Sequence, residues 1–195
     1  MKINQKQPIL ISIVTANSQK IFQTLDTLLA SINVVDLVKL LQEHPECAML
    51  APKILNEDGT TQHLIRQKLD VFDYVLRFIP ARFVKQLFAQ RLAKFECHDL
   101  SETTNSYVRM ISGSFMVVDV NKFKKVNGFD NRYFMYFEDN DLCLTFEKAG
   151  EKLLYTPLYT IVHLYGKGAH RNFKLFRIFL QSMVKFFNKW GWTFF

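Results

Sequence analysis

Apolar residues in this chain gather in short β-rich runs, and stretches of helical period fall between them. That alternation constrains the fold most, because strands interleaved with helices are the pattern of an α/β protein. "ILISIVT", Ile9 to Thr15, fits a buried parallel strand, and Ile21, Leu25, Leu28, Leu29 and Ile32 follow it at helical spacing. A second helix is predicted from Val34 to Glu43, closed by Pro45, and "CAMLAP", Cys47 to Pro52, is the next strand. Asn56 to Gly59 reads as a turn. From Leu64 to Phe95 the pattern is helical and basic, with Pro80 kinking or splitting it. "SGSFMVVD", Ser112 to Asp119, is a predicted strand, followed by a helical turn over Lys122–Val126. Asn140 to Ala149 is a helix stopped by Gly150. "KLLY" and "YTIVH" are short strands around Pro157, and a last helix runs from Asn172 to Trp190.

The length, 195 residues, suits one domain with an appendage, and 49% hydrophobic residues suffice for a core. Phe occurs 19 times, more than a plain core requires, which points to exposed aromatic faces. No apolar run is long enough to span a bilayer, so any membrane contact is expected at the surface. The first residues read as a strand rather than a signal peptide. Cys47, Cys97 and Cys143 are far apart and odd in number, which suits reduced thiols in a cytosolic compartment.

The net charge of +7 is uneven: no Asp or Glu follows Glu151, whereas Lys167, Arg171, Lys174, Arg177, Lys185 and Lys189 do. In the last helix Phe173, Phe176, Leu180, Met183, Phe187 and Trp190 step by three and four, with Lys174, Arg177, Lys185 and Lys189 opposite. Such a helix either packs on the core with a solvated basic side or lies in a membrane interface, aromatics toward the acyl chains and cations toward anionic headgroups. Trp192 and the terminal Phe pair extend the interfacial character. Residues 171–195 are therefore set apart as a basic aromatic tail with Phe173, Phe176, Lys174, Arg177, Lys185, Trp190 and Trp192 as expected membrane contacts. No nucleic-acid module accompanies the charge, so nucleic acid is not an expected partner.

"YFMYFEDNDLCL", Tyr133 to Leu144, presses four aromatics against three acids. Asp139 or Asn140 suits the N-cap of the following helix. A carboxylate beside apolar walls is also partly desolvated, which raises its pKa and makes it a better base near neutrality. Both readings stand at this level. His163, ending "YTIVH", is either a satisfied strand-end residue or one metal ligand awaiting partners. Gly113 marks a turn or a place where a ligand approaches the backbone.

The ordered set Gly113-Ser114-Phe115, Val126-Asn127-Gly128-Phe129-Asp130, Phe137-Glu138-Asp139-Asn140-Asp141-Leu142, Lys148-Ala149-Gly150 and Val162-His163 resembles the acceptor-side half of bacterial family 2 glycosyltransferases, in particular rhamnosyltransferase-like members. "HPECAMLAPKILNEDGTTQ" and "SIVTANS" resemble further stretches of that family. The resemblance implies an α/β, GT-A-like fold over residues 1–170 and inverting transfer of a sugar from a nucleotide-sugar donor to a lipid-linked glycan or polysaccharide acceptor. It implies Asp139 as the general base and Glu138 as a positioning carboxylate. The acceptor pocket would be formed by Gly113, Ser114, Phe137 and Asp141. It further implies a divalent metal, Mg or Mn, at the departing diphosphate, with His163 completing its site. The expected setting is cell-surface glycan or lipopolysaccharide synthesis, cytoplasmic and peripheral at the inner face of the bacterial plasma membrane.

The chain departs from the family between Ile32 and Val34, where "TLLASI" runs directly into "NVVDLVKLLQEHPE". The family's glycine-rich segment, central strands and D-x-D metal motif are expected there and are not found, which makes the GT-A-like fold incomplete. The competing reading is therefore a non-catalytic peripheral membrane relative that keeps the acceptor half.

Overall fold

The computed structural model describes residues 9–12, 34–79, 81–163 and 173–195. The predicted helix over Ile21–Ile32, the Pro80 break and the Gly166–Gly168 loop lie outside the described residues. Within them the protein is α/β, with a mixed sheet and a long C-terminal helix, as expected of a partial GT-A-like fold.

Strand β1 (Ile9–Ser12) is followed by helix α1 (Val34–Glu43) and strand β2 (Cys47–Leu55). Three short helices come next, α2 (Val71–Phe78), α3 (Arg82–Leu87) and α4 (Ala89–Phe95), so the stretch predicted as helical is split and begins at Val71 rather than Leu64. Strands β3 (Ser106–Val108) and β4 (Met116–Asp119) lead to α5 (Val120–Lys125), α6 (Glu138–Lys148), β5 (Lys152–Val162) and α7 (Phe173–Trp190). The sheet order is β1-β4-β2-β5-β3.

β2 and β5 pair in parallel at its centre. β4 runs antiparallel to β2, and β1 lies on the far side of β4, antiparallel to it, from Ile9–Asp119 to Ser12–Met116. The parallel pairing expected of β1 is corrected here. Its neighbour β4 is the returning strand, so a strand beside it that points the same way as β2 must oppose it. The expected strand over Ser112–Asp119 is shorter than predicted, since its first residues form a turn at the site described below. "KLLY" and "YTIVH" belong to one strand. Its register with β2 jumps from Thr156 to Thr160 opposite Pro52 and Lys53, which leaves Pro157 outside the ladder where its missing N–H does no harm.

Both sheet faces are covered, which is why β2 and β4 read as nearly unbroken apolar runs. Leu37 and Leu41 of α1 pack on Leu50, Val117 and Leu154 on one face. On the other, Met49, Met116 and Val118 meet α2, α6 and α7 through Tyr74, Leu142, Phe146, Phe179, Phe186 and Phe187. The C-terminal helix therefore shares a core with the sheet. Its final residues return to α2: Val71 donates its N–H to the Thr193 carbonyl, and Lys68 reaches the Phe195 carbonyl. The three cysteines are buried and unbridged, with burial pushing the Cys47 thiol up to about 11.

Candidate active site

Helix α6 carries the acid pair, and the way it begins sets the pair's geometry. The helix starts at Glu138, two residues earlier than the sequence suggests, so neither Asp139 nor Asn140 is its N-cap. The cap position is Phe137, in the left-handed region at φ 65°, directly after Tyr136 at φ 68°. Two consecutive residues with side chains in that region are strained, a cost of order 1–3 kcal/mol each that the surroundings must over-determine. Phe137 is nearly fully buried, its ring centroid 5.2 Å from Tyr74, 5.4 Å from Phe179 and 5.3 Å from Phe186. Ser182 of α7 donates its hydroxyl to the Met135 carbonyl at 2.7 Å, and Lys185 donates to the Arg132 carbonyl at 2.7 Å. The C-terminal helix thus grips the turn that launches the acids.

Glu138 and Asp139 then lie in the first turn, where the helix dipole favours negative charge. Asp139 Oδ2 accepts the Gly113 N–H at 2.7 Å, and Oδ1 accepts the Asn140 backbone and side-chain N–H groups at 2.8 Å each. Burial raises its pKa, while the Gly113 and Asn140 amides, with the buried Arg66 guanidinium, pull the other way. Glu138 differs. Burial, and then the charge of Asp139, push its carboxyl up to about 7, and its Oε2 is buried without a hydrogen-bond partner. The Ser114 hydroxyl is likewise buried and unpartnered. Gly113 lies close against Asp139, where an added Cβ would sit 3.4 Å from the Asp139 Cβ, in ordinary van der Waals contact. The close approach expected at Gly113 is thus made by a carboxylate of the chain itself.

The structure brings Gly113, Ser114, Glu138 and Asp139 together and removes two expected pocket residues. Phe137 points into the core between α2 and α7 and cannot wall an open pocket. Asp141 is 2% exposed: its Oδ1 accepts from the Trp190 indole at 2.7 Å and the Tyr133 hydroxyl at 3.2 Å, and its Oδ2 from Lys189 at 2.8 Å. It locks α6 to α7, because a buried carboxylate with three donors has little capacity left for a ligand.

The expected membrane residues divide too. Trp190 serves Asp141, Lys185 ties down the turn, and Phe176 rests on Phe78 with centroids 5.2 Å apart. Trp192 stacks between Phe187 and Phe194 and donates to Asn188. Phe173, Lys174 and Arg177 are exposed.

His163 follows the end of β5, where its N–H donates to the Leu55 carbonyl and its Nδ1 lies 3.2 Å from Gln62 Oε1. Burial lowers its pKa. Among the described residues no group of three or more His, Cys, Asp or Glu is placed to hold a metal. The described donors therefore do not form the expected metal site.

Arg66 was not singled out by sequence reasoning. It is 5% exposed, donates to the His63 and Ile65 carbonyls, and sits 4.6 Å over the Phe95 ring. Nothing local distinguishes it from other cations, since its burial depends on the distant Phe95 ring.

Over 85 residues, 43% of this chain and 32% of the relative, the sequence is 42% identical to rhamnosyltransferase WbbL of Escherichia coli strain K12. Over that stretch the chain is similar to a rhamnosyltransferase. A second relative, the N-acetylglucosaminyl-diphospho-decaprenol L-rhamnosyltransferase of Mycobacterium tuberculosis strain CDC 1551 / Oshkosh, is 42% identical over 62 residues, 32% of this chain and 20% of the relative. The chain thus matches at most about a third of the length of these relatives. No protein-family profile matches it. No helix among its described residues is long and apolar enough to cross a membrane.

Proposed function

We propose that this protein is, or forms the acceptor-side part of, an inverting sugar transferase of cell-surface glycan synthesis that uses a nucleotide-sugar donor and a lipid-linked acceptor. The observation that carries the reading is the Glu138–Asp139 pair, fixed in the first turn of α6 and held against the Gly113 amide. The acceptor oxygen attacks the anomeric carbon as the bond from that carbon to the diphosphate oxygen breaks. The acceptor proton passes to Asp139, and the nucleoside diphosphate leaves with the electron pair. Asp139 is suited to this role because backbone amides fix it and its Oδ2, which accepts the Gly113 N–H, keeps a further lone pair, whereas Oδ1 already accepts two hydrogen bonds. Glu138, beside it, orients the acceptor. A divalent cation at the diphosphate would need ligands beyond His163, and no step is routed through one. By its acceptor, the protein would work at the cytoplasmic face of the bacterial plasma membrane.

A second assignment exchanges the two carboxylates. Glu138, raised to about 7 with an unpartnered oxygen, is the better matched base near neutral pH. Transfer from a panel of nucleotide-sugars to a lipid-linked acceptor decides between them. Asp139→Asn is expected to lower the rate by about 10²–10⁴, the usual worth of a general base, and Glu138→Gln by less. The reverse order assigns the base to Glu138. Calorimetric titration with nucleoside diphosphates in the presence of Mg²⁺ or Mn²⁺ addresses the non-catalytic alternative, which predicts no saturable binding.

A further inference from the structure

Helix α3 is built the wrong way round for a helix packed on a core. Its apolar residues Phe83 and Leu87 lie one turn apart on one face and are 73% and 77% exposed. Its Lys85 instead turns toward the fold and donates to the Arg77 carbonyl at 3.2 Å. No residue of α3 is buried, so folding does not explain its phenylalanine and leucine. The corner between α2 and α3 adjoins the outer side of α7, because Phe78 at the end of α2 packs on Phe176 and Phe179, at 5.2 and 5.0 Å. That outer side presents Phe173, 83% exposed, and Leu180, with Val75 of α2 also exposed. The exposed charges around these residues are basic, namely Arg82, Lys174 and Arg177, while Arg77 pairs with Glu96 at 3.8 Å; in the sequence no Asp or Glu falls between Asp73 and Glu96 or after Glu151.

We propose that Phe83 and Leu87 of α3, with Val75, Phe173 and Leu180, form one basic-rimmed apolar face that docks on an anionic lipid bilayer. Exposed apolar groups at the centre enter the headgroup–acyl boundary, and the cations meet lipid phosphates. This replaces a detachable amphipathic tail as the membrane contact, since Trp190, Lys185 and Phe176 serve the fold. The inference deepens the reading of a lipid-linked acceptor and rests on it only for its biological purpose.

The test is sedimentation of the full chain with sucrose-loaded vesicles, either of phosphatidylcholine alone or with about one third phosphatidylglycerol to supply the negative surface. No sugar transfer is measured, so failure of the transfer reaction leaves the result intact. Binding to the anionic vesicles and not to the neutral ones is expected, and it should weaken as salt rises. Phe83→Asp with Leu87→Asp should lower the partition coefficient at least tenfold while circular dichroism and the melting temperature stay unchanged. Arg82→Glu with Arg177→Glu should do the same, whereas Phe134→Asp, also at an exposed aromatic, should not. Undiminished binding of the Phe83/Leu87 variant, or no preference for anionic vesicles, would overturn the proposal. Concentration-dependent dimerisation without vesicle binding, abolished by the same double variant, would also overturn it and give the face to a second copy of the chain.

Discussion

At the scale of the residue, Glu138 and Asp139 show how position outweighs identity. Both are carboxylates of one helical turn, yet Asp139 has its oxygens on backbone and side-chain amides and Glu138 keeps one buried oxygen bare. Glu138 should leave a signature in stability. Its folded pKa, about 7, lies above its ordinary value of 4.5, so between these pH values the folded state binds more protons than the unfolded one. Stability therefore falls as pH rises from 4.5 to 7, and the deficit is complete above 7. Glu138→Gln is expected to stabilise the protein at pH 8 by roughly 2 kcal/mol, the shift being discounted for coupling to Asp139 and for residual solvent. Urea unfolding of the variant and the parent at pH 4.5 and 8 checks this: a gain equal at both pH values would show that ionisation is not its source. Asp141 carries the opposite sign. Asp141→Ala leaves the Trp190 and Tyr133 donors buried without a partner and is expected to destabilise by about 2–4 kcal/mol, read as a lower urea midpoint at unchanged slope.

At the scale of the element, α2 and α4 are held by one cation. Asp70 caps α2 by accepting the Asp73 N–H at 2.8 Å, and Arg91 of α4 binds Asp70 at 2.8 Å and Asp73 at 2.6 Å. The guanidinium also lies 4.2 Å from the Phe195 ring centroid, so it links both helices to the end of the chain. Arg91→Met strands two buried carboxylates and is expected to destabilise by about 3–5 kcal/mol, whereas Arg91→Lys, which keeps the charge and loses the fork, falls between. Thermal unfolding of the three proteins at pH 7 gives the order. Helix boundaries at this scale were largely legible in the sequence. Val34–Glu43 forms as predicted, Gly150 stops α6 at φ 82°, and α7 begins at Phe173 beside the expected Asn172. These signals are local, since caps, glycine stops and apolar period act within a few residues. The start of α6 was not legible. Its left-handed entry at Tyr136 and Phe137 is imposed by Phe179, Ser182 and Phe186, more than forty residues away in the chain.

At the scale of the whole molecule, α7 is part of the core, not an addition to it. Phe179, Phe186 and Phe187 are buried in the cluster that contains Met49, Phe137 and Phe146. A chain ending at residue 172 is expected to lose cooperative unfolding and to bind a hydrophobic dye, because removing three buried aromatics costs about 3–5 kcal/mol each, comparable in sum to the whole stability of a domain. A sharp thermal transition in that shortened chain would show α7 to be dispensable. For the same reason the membrane surface has to be tested with exposed point variants.

Alternating runs and helical period were enough for the α/β class, most helices and the acid pair, because those features depend on neighbours in the chain. The ordered motifs from Gly113 to His163 likewise carried the resemblance to rhamnosyltransferases. The direction of β1, the withdrawal of Phe137 and Asp141 into the core, the burial of Arg66 and the outward apolar face of α3 depend on contacts between elements far apart in sequence. Periodicity says that a residue lies on an apolar or polar face. Which partner covers that face, or whether any does, is settled when strands pair and helices pack.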